Sequence, residues 1–497
     1  MKKLIMTAVS ATALLTATAA FAAGSDSIVS QSGNANVAGV DQTATTSGTS
    51  TVTQTSDSNN AAVVQGGHDN TSTVTQGVDP NNGVTTGNVA AVNQTGSNGS
   101  SSISQAGHNT ASVNDSGSHN TAQIGQTGYN SADAGGGAAI VQGGQGNQAG
   151  AYQVGVGNQA GIIQTSQRSV AYVVANGDAN RQYVDQVATN AAIATVTTTG
   201  NSNAAAVSQL SGAAVSYNYQ IGNNNAIAVT QDGSSTSLIG QGTGVQNLGG
   251  YAQTSGNTVL TTGASASVNQ SGANQVSYIQ QMDGATANVT QVAGFLGLVN
   301  NSTVLQDQGS VGSLATVRQT GAFEKSTIEQ KGASDNAAVG QSGGLDRSNV
   351  YQTNMRDAAT VAQTGSGADS TVNQRGGFDT AAVAQTGVAE ASTVNQSGAY
   401  DTASVAQSGF GVISDVNQSG AFDTASVSQS GFLDNSSVKQ TGNYETAYVS
   451  QTGVGEVSTV DQSGVYGQNT ASVSQTLGGA ASHVTQSGSF NVATVHQ

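Results

Sequence analysis

The chain contains no cysteine, no tryptophan and a single proline in 497 residues, and only 8% of its residues are charged. Without cysteine no disulfide can staple the fold. Leu and Phe are scarce as well, which excludes a thick globular core. Positive charge is in short supply: 11 Lys and Arg face 27 Asp and Glu, a formal net charge of −16. That balance argues against nucleic acid or an anionic membrane as partner. Beyond the first 22 residues no run is apolar enough to cross a bilayer.

Those first residues read as a secretory signal over 1–22. Lys2 and Lys3 form a basic start, Leu4 to Ala19 an apolar stretch, and Ala20-Phe21-Ala22 a small-x-small cleavage site. Its removal leaves nine basic residues against 27 acidic ones, a net charge of −18.

What the chain has in abundance is a repeat. Over 315–497 a β-branched residue, a spacer and a Gln recur every 11 residues. The series includes Val317/Gln319, Ile328/Gln330, Val383/Gln385, Val394/Gln396, Val405/Gln407, Val416/Gln418, Val427/Gln429, Val438/Gln440 and Val449/Gln451. A two-residue slip near Gly467-Gln468 precedes its end at Val495/Gln497. The residue two before each Val or Ile alternates between Ala and Ser (Ala381, Ser392, Ala403, Ser414), so the true unit is 22 residues in two unlike halves. Long fixed periods are the mark of stacked repeats.

Gly, Ser, Thr, Asn and Val fill the positions between, which argues against helix. Each half is a strand of about five residues and a turn. In Ala425-Ser426-Val427-Ser428-Gln429 the alternation of a strand sends Ala425, Val427 and Gln429 to one face. Ser430-Gly431 then breaks the strand, Gly being the residue expected to supply a positive φ. Stacked coils place each Val over the next Val and each Gln over the next Gln, about 4.8 Å apart. A Gln amide carries both donor and acceptor and bonds along the stack. Charges stacked inward would repel and lose hydration, so the interior is expected to exclude them. The acids and amides near the turns (Asp379, Asp401, Asp423, Glu445, Asn469, Asn491) are expected to bond nearby backbone. Phe378, Tyr400, Phe422, Tyr444, Tyr466 and Phe490, one per 22-residue unit, are expected to line one edge.

The expected organisation is therefore an all-β fold, a β-solenoid with two short strands per roughly 22-residue coil. Residues 23–128 carry clear repeats, 129–314 degenerate repeats with insertions, and 315–497 the regular ones. The insertion at 77–83 holds Pro80, and Asp115 replaces a Gln. Neither end reads as a cap, and an uncapped coil is a template for head-to-tail pairing.

No nucleophile, base and orienting acid recur as a set, so no enzyme, catalytic site or cofactor is expected. His68, His108 and His119 lie in turns without recurring ligand partners, so no metal is expected. The apolar run Val292–Val299 reads as a wide turn.

Segments such as Gly33-x-x-Asn36-x-Ala38-x-Val40-x-Gln42, Gly376-x-x-Asp379-x-Ala381-x-Val383-x-Gln385 and Gly488-x-x-Asn491-x-Ala493-x-Val495-x-Gln497 resemble the curlin repeat of bacterial curli fibres, with Asp or Glu often standing in place of Asn. The resemblance implies a secreted, extracellular subunit. It would pass an outer-membrane pore, polymerise with itself on a surface nucleator, and form functional amyloid for adhesion and biofilm matrix. The Val and Gln series named above would be its self-assembly ladder. The alternative is a monomeric solenoid adhesin or stalk.

Overall fold

The structure is a computed structural model, and it describes residues 4–8, 19–21, 24–78, 87–130, 136–187, 190–242, 261–272, 274–282, 284–292, 299–464 and 468–497. The chain divides into two compact units, Met1–Thr262 and Gly263–Gln497. Among the described residues every regular element is a strand.

In the second unit the two halves of each repeat lie in two separate parallel sheets. The Ser halves stack as Asp369–Gln374, Ala391–Gln396, Ile413–Gln418 and Asn435–Gln440. The Ala halves stack as Thr380–Gln385, Thr402–Gln407, Thr424–Gln429 and Thr446–Gln451. Successive strands within each of these series pair 22 residues apart, so Val383 faces Val405 and Gln385 faces Gln407. The two sheets face each other across a thin interior of Ala, Val, Ser and Gln, with Val394, Val416 and Val438 fully buried. Burying each Val contributes about 1.5–3 kcal/mol, which is modest for a coil of 22 residues. The polar columns therefore decide whether the stack holds.

The first unit follows the same plan. Thr49–Gln54, Thr71–Gly77 and Ser100–Gly107 stack in one sheet. Asn60–His68, Val89–Gln94 and Thr110–Asp115 stack in the other. The stretch whose repeats looked degenerate keeps the register: Ala160 pairs with Gln182, Ile162 with Val184 and Gln164 with Gln186. Longer turns and local bulges absorb the altered spacing, as at Asp41/Ala44 and Gln209/Ser211. Near the start of the chain, Leu4–Ala8 lies parallel to Asp26–Gln31 and Ala19–Phe21 to residues 40–42. Most of the insertion around Pro80, most of the apolar run at 292–299, and Tyr466 lie outside the described residues.

The turns correct one expectation. At the regular turns of the second unit the repeated glycine (Gly376, Gly398, Gly420, Gly431) is not the residue with positive φ, although at Gly33 and Gly488 it is. That conformation falls two positions later, at Phe378 (φ 65), Tyr400 (φ 62), Phe422 (φ 62) and Leu433 (φ 57). Left-handed backbone costs a non-Gly residue about 1–2 kcal/mol. The conformation is held by pairing: the Phe422 N–H donates to Ala399 O of the neighbouring coil at 3.0 Å. Glycine is required for a different reason. A Cβ on Gly398 would lie 1.4 Å from the carbonyl oxygen of Gly420, and one on Gly420 would lie 1.3 Å from that of Gly442. The turn of the next coil occupies the space of the missing side chain.

Gly420→Ala is therefore expected to lower stability by roughly 2 kcal/mol or more through overpacking. Ala389→Gly, at a left-handed turn position, is expected to change it by less than about 1 kcal/mol. The urea midpoints of the two variants check this; a Gly420→Ala midpoint equal to that of the parent would contradict the close-approach argument.

Candidate functional site: the inward columns

The structure brings the expected ladder residues together. Val317, Val383, Val405, Val427 and Val449 fall in one sheet, and Ile328, Val394, Val416 and Val438 in the other. Their Gln partners (Gln319, Gln385, Gln407, Gln429, Gln451; Gln330, Gln396, Gln418, Gln440) are all buried. Val495 pairs with Val473 and is half-buried, and Gln497 is exposed.

Each Gln makes two bonds of different direction. One amide hydrogen runs along the stack: Gln385 donates to Gln407 at 2.9 Å, Gln407 to Gln429 at 3.0 Å, and Gln429 to Gln451 at 2.9 Å. The other crosses the interior to the opposite sheet, as from Gln407 to Ala391 O at 2.9 Å and from Gln418 to Thr402 O at 3.0 Å. The first bond was legible in the repeat. The second depends on the distance between the sheets, which no spacing along one strand reports. Asp115 is a break in the ladder: it accepts from Asn120 at 2.8 Å and from the Gly117 N–H at 3.1 Å, while the Gln94 amide nitrogen finds no partner.

The expectation that charge-bearing groups stay out of the interior is overturned. The acid that follows each turn points inward and lies in a column. Asp335, Asp357, Asp379, Asp401, Asp423 and Glu445 stack on one side and are at most 1% exposed. Glu324, Asp346, Glu390, Asp434 and Glu456 are equally buried on the other side, interleaved with Ala368 and Val412. The reason is a backbone demand. The N–H of the residue just before each strand needs an acceptor, and the carboxylate of the coil before provides it. Asp357 Oδ1 accepts from the Asp379 N–H at 3.1 Å, Asp379 Oδ1 from Asp401 at 3.0 Å, and Asp401 Oδ1 from Asp423 at 3.1 Å. The second carboxylate oxygen of Asp357, Asp379, Asp401 and Asp423 has no hydrogen-bond partner.

Burial disfavours the charged form of such groups. It raises Glu324, Asp357, Asp401 and Asp423 to about 7, and Asp335 and Asp379 to about 6. Neighbouring carboxylates add to this, Asp335 and Asp379 acting on Asp357, and Asp401 and Glu445 on Asp423. The backbone donors pull the other way without offsetting burial. Burial likewise raises Asp346, Glu390 and Glu445.

In the first unit the corresponding column is asparagine: Asn36, Asn59, Asn88, Asn109, Asn130, Asn158, Asn180, Asn203 and Asn225. Its carbonyl oxygens do the same work, Asn158 Oδ1 accepting from the Asn180 N–H and Asn180 Oδ1 from the Asn203 N–H, both at 3.0 Å. The amide group adds donors that a carboxylate lacks. Asn180 Nδ2 reaches Asn158 Oδ1 at 3.1 Å and Gly200 O at 2.7 Å.

Outside the interior, Phe378, Tyr400, Phe422 and Tyr444 stack face to face along one edge, with centroids 4.7–4.9 Å apart. Arg356 sits 5.3 Å from the Phe378 ring centre. Because each ring covers its neighbour's face, the row supports the turns and does not present a flat binding platform. A second stack on the opposite turn, Phe410 over Phe432 at 5.2 Å, was not singled out in the sequence, although its 22-residue spacing carries the same signal. His108 stacks on Tyr129 at 4.6 Å, and His68 bonds the Thr46 hydroxyl.

Parallel in-register strands, two per coil, with Gln and Val columns inside, define a β-solenoid of stacked polar-ladder repeats. The family model described as the curlin associated repeat matches residues 423–453, which hold three successive strands of the regular region, Thr424–Gln429, Asn435–Gln440 and Thr446–Gln451. No curated protein matches the chain.

Gln418→Leu removes the donor to Gln440 Oε1 and Thr402 O and the acceptor of Gln396 Nε2. Leaving buried groups without partners costs about 1–3 kcal/mol each. A loss of roughly 2–4 kcal/mol is therefore expected in urea unfolding, and an unchanged midpoint would show that the ladder is dispensable.

Proposed function

We propose that this is a secreted structural protein that self-assembles into curli-like cross-β fibres, serving adhesion and biofilm matrix. One observation carries the reading: within each unit, successive coils meet through identical residues in register, Val on Val and Gln on Gln. An interface that joins a coil to its own repeat also suits a coil of another copy, since every backbone group and amide finds the same partner. The curlin repeat match and the leader-like residues 1–22 support export to the cell surface. An outer-membrane pore and a surface nucleator are the partners this reading calls for, with the chain itself as the main one. The columns serve a structural, non-enzymatic role.

Purified protein lacking 1–22, diluted from denaturant, is expected to form fibres with a lag that preformed seeds abolish, read by light scattering and electron microscopy. Fibre diffraction should show the spacings of about 4.8 Å and 10 Å of stacked strands and sheets. A chain that folds and stays monomeric for days at high concentration, seeded or not, would replace this reading with a monomeric stalk.

A further inference from the structure

The second unit places a carboxylic acid where the first places an amide, in the same column and with the same backbone bond. Asp401 Oδ1 accepts the next coil's N–H at 3.1 Å, as Asn180 Oδ1 does at 3.0 Å. The two columns differ in one atom. Asn180 Nδ2 donates two bonds, while Asp401 Oδ2 is buried and has no partner. An ionised carboxyl cannot donate; a protonated one carries the hydrogen that the amide nitrogen supplies. Glu390 on the other side is equally buried, and only the backbone N–H groups of Gly387, Gly409 and Thr386 approach its carboxyl.

No cation relieves these groups among the described residues. The ion pairs formed there join Lys331 to Asp307 and Glu329, and Lys439 to Asp461, none of them a column acid. Arg356 lies over the Phe378 ring. The charges felt by the columns are other carboxylates: Asp335, Asp379, Asp401 and Glu445 along the first column, Asp346 toward Glu324 and Glu390 in the second, and Asp461 toward Glu445.

We infer that the column of Asp335, Asp357, Asp379, Asp401 and Asp423 makes stacking of the second unit proton-controlled: these acids take up protons from solvent as their coils close, so that the coils close in acidic medium and loosen as the medium turns alkaline, while the asparagine coils of the first unit do not respond. The raised acids agree in sign. A carboxyl whose folded value lies near 6 or 7, against 3.8 when exposed, binds more protons folded than unfolded between those values. Stability is then full below about pH 4 and lost as pH rises through about 7. Neighbouring carboxyls in a column titrate as a set. This deepens the fibre reading by naming what regulates the assembling coils, and it rests on that reading only for its consequence in fibres.

Hydrogen exchange followed by mass spectrometry on the full mature chain separates the two. After correction for intrinsic exchange, protection over 357–456 is expected to fall at least about tenfold relative to 158–230 between pH 5 and pH 8.5. A chain with Asp357, Asp379, Asp401 and Asp423 all changed to Asn should lose that difference, and Asn180→Asp with Asn203→Asp should create one in the first unit. Equal pH response in both regions, or a response that survives the Asn changes, would overturn the inference. So would a quadruple variant unprotected at pH 5, since the first unit shows that the amide fits. Absence of fibres at every pH would sink the fibre reading and leave this result standing on the exchange data.

Discussion

Parallel pairing in register is the constraint from which the other features follow. At a coil spacing near 4.8 Å the vertical neighbour of every side chain is the same position one coil on. Each residue is thus judged by how well it tolerates its own kind. Val on Val shields apolar surface, Gln on Gln closes an amide chain, and aromatic rings stack. Glycine survives at the turn because the neighbouring coil's carbonyl fills the place of its side chain. The carboxyls of Asp357, Asp379, Asp401 and Asp423 satisfy the backbone through one oxygen and leave the other without a hydrogen-bond partner.

The interior is too thin for apolar burial alone to define one arrangement. A slip by one residue would turn Val and Gln to solvent and Ser and Ala of the outer face inward. The Gln bonds resist this in two directions, along the stack and across to the opposite sheet. The Asn and acid columns lock each strand start to the coil before it. Polar groups thereby specify register in a molecule that has no large side chains to do so.

The two columns of the repeat that strand alternation sends inward were readable without coordinates, because a period of 22 leaves no other pairing that buries both Val and Gln. The division into Ser and Ala halves was readable too, and it became two sheets. The aromatic row at Phe378, Tyr400, Phe422 and Tyr444 followed from the same period. The acids were misplaced, because Asp and Glu beside glycine carry the ordinary signature of a solvated turn. The competing demand, an acceptor for the first N–H of the next coil, is invisible until the neighbouring coil is in place. At turns such as Ser430-Gly431 the positive φ was assigned to the wrong residue on similar grounds: glycine is the usual occupant of that conformation, yet there Leu433 adopts it and Gly431 answers a steric demand from another coil.

The sequence by itself determined the class of fold, the coil length, the contents of the Val and Gln columns and the likeness to curlin repeats, since these depend only on periodicity and on which side chains alternate. The tertiary structure alone decided that the Gln amides bridge the two sheets, that glycine yields its side-chain space to a carbonyl, and that the acids stack inward. Each of those is a relation between residues at least 16 positions apart, set by distances across or along the coil. A repeat announces what will be stacked; only the stack shows which atoms are left without a partner.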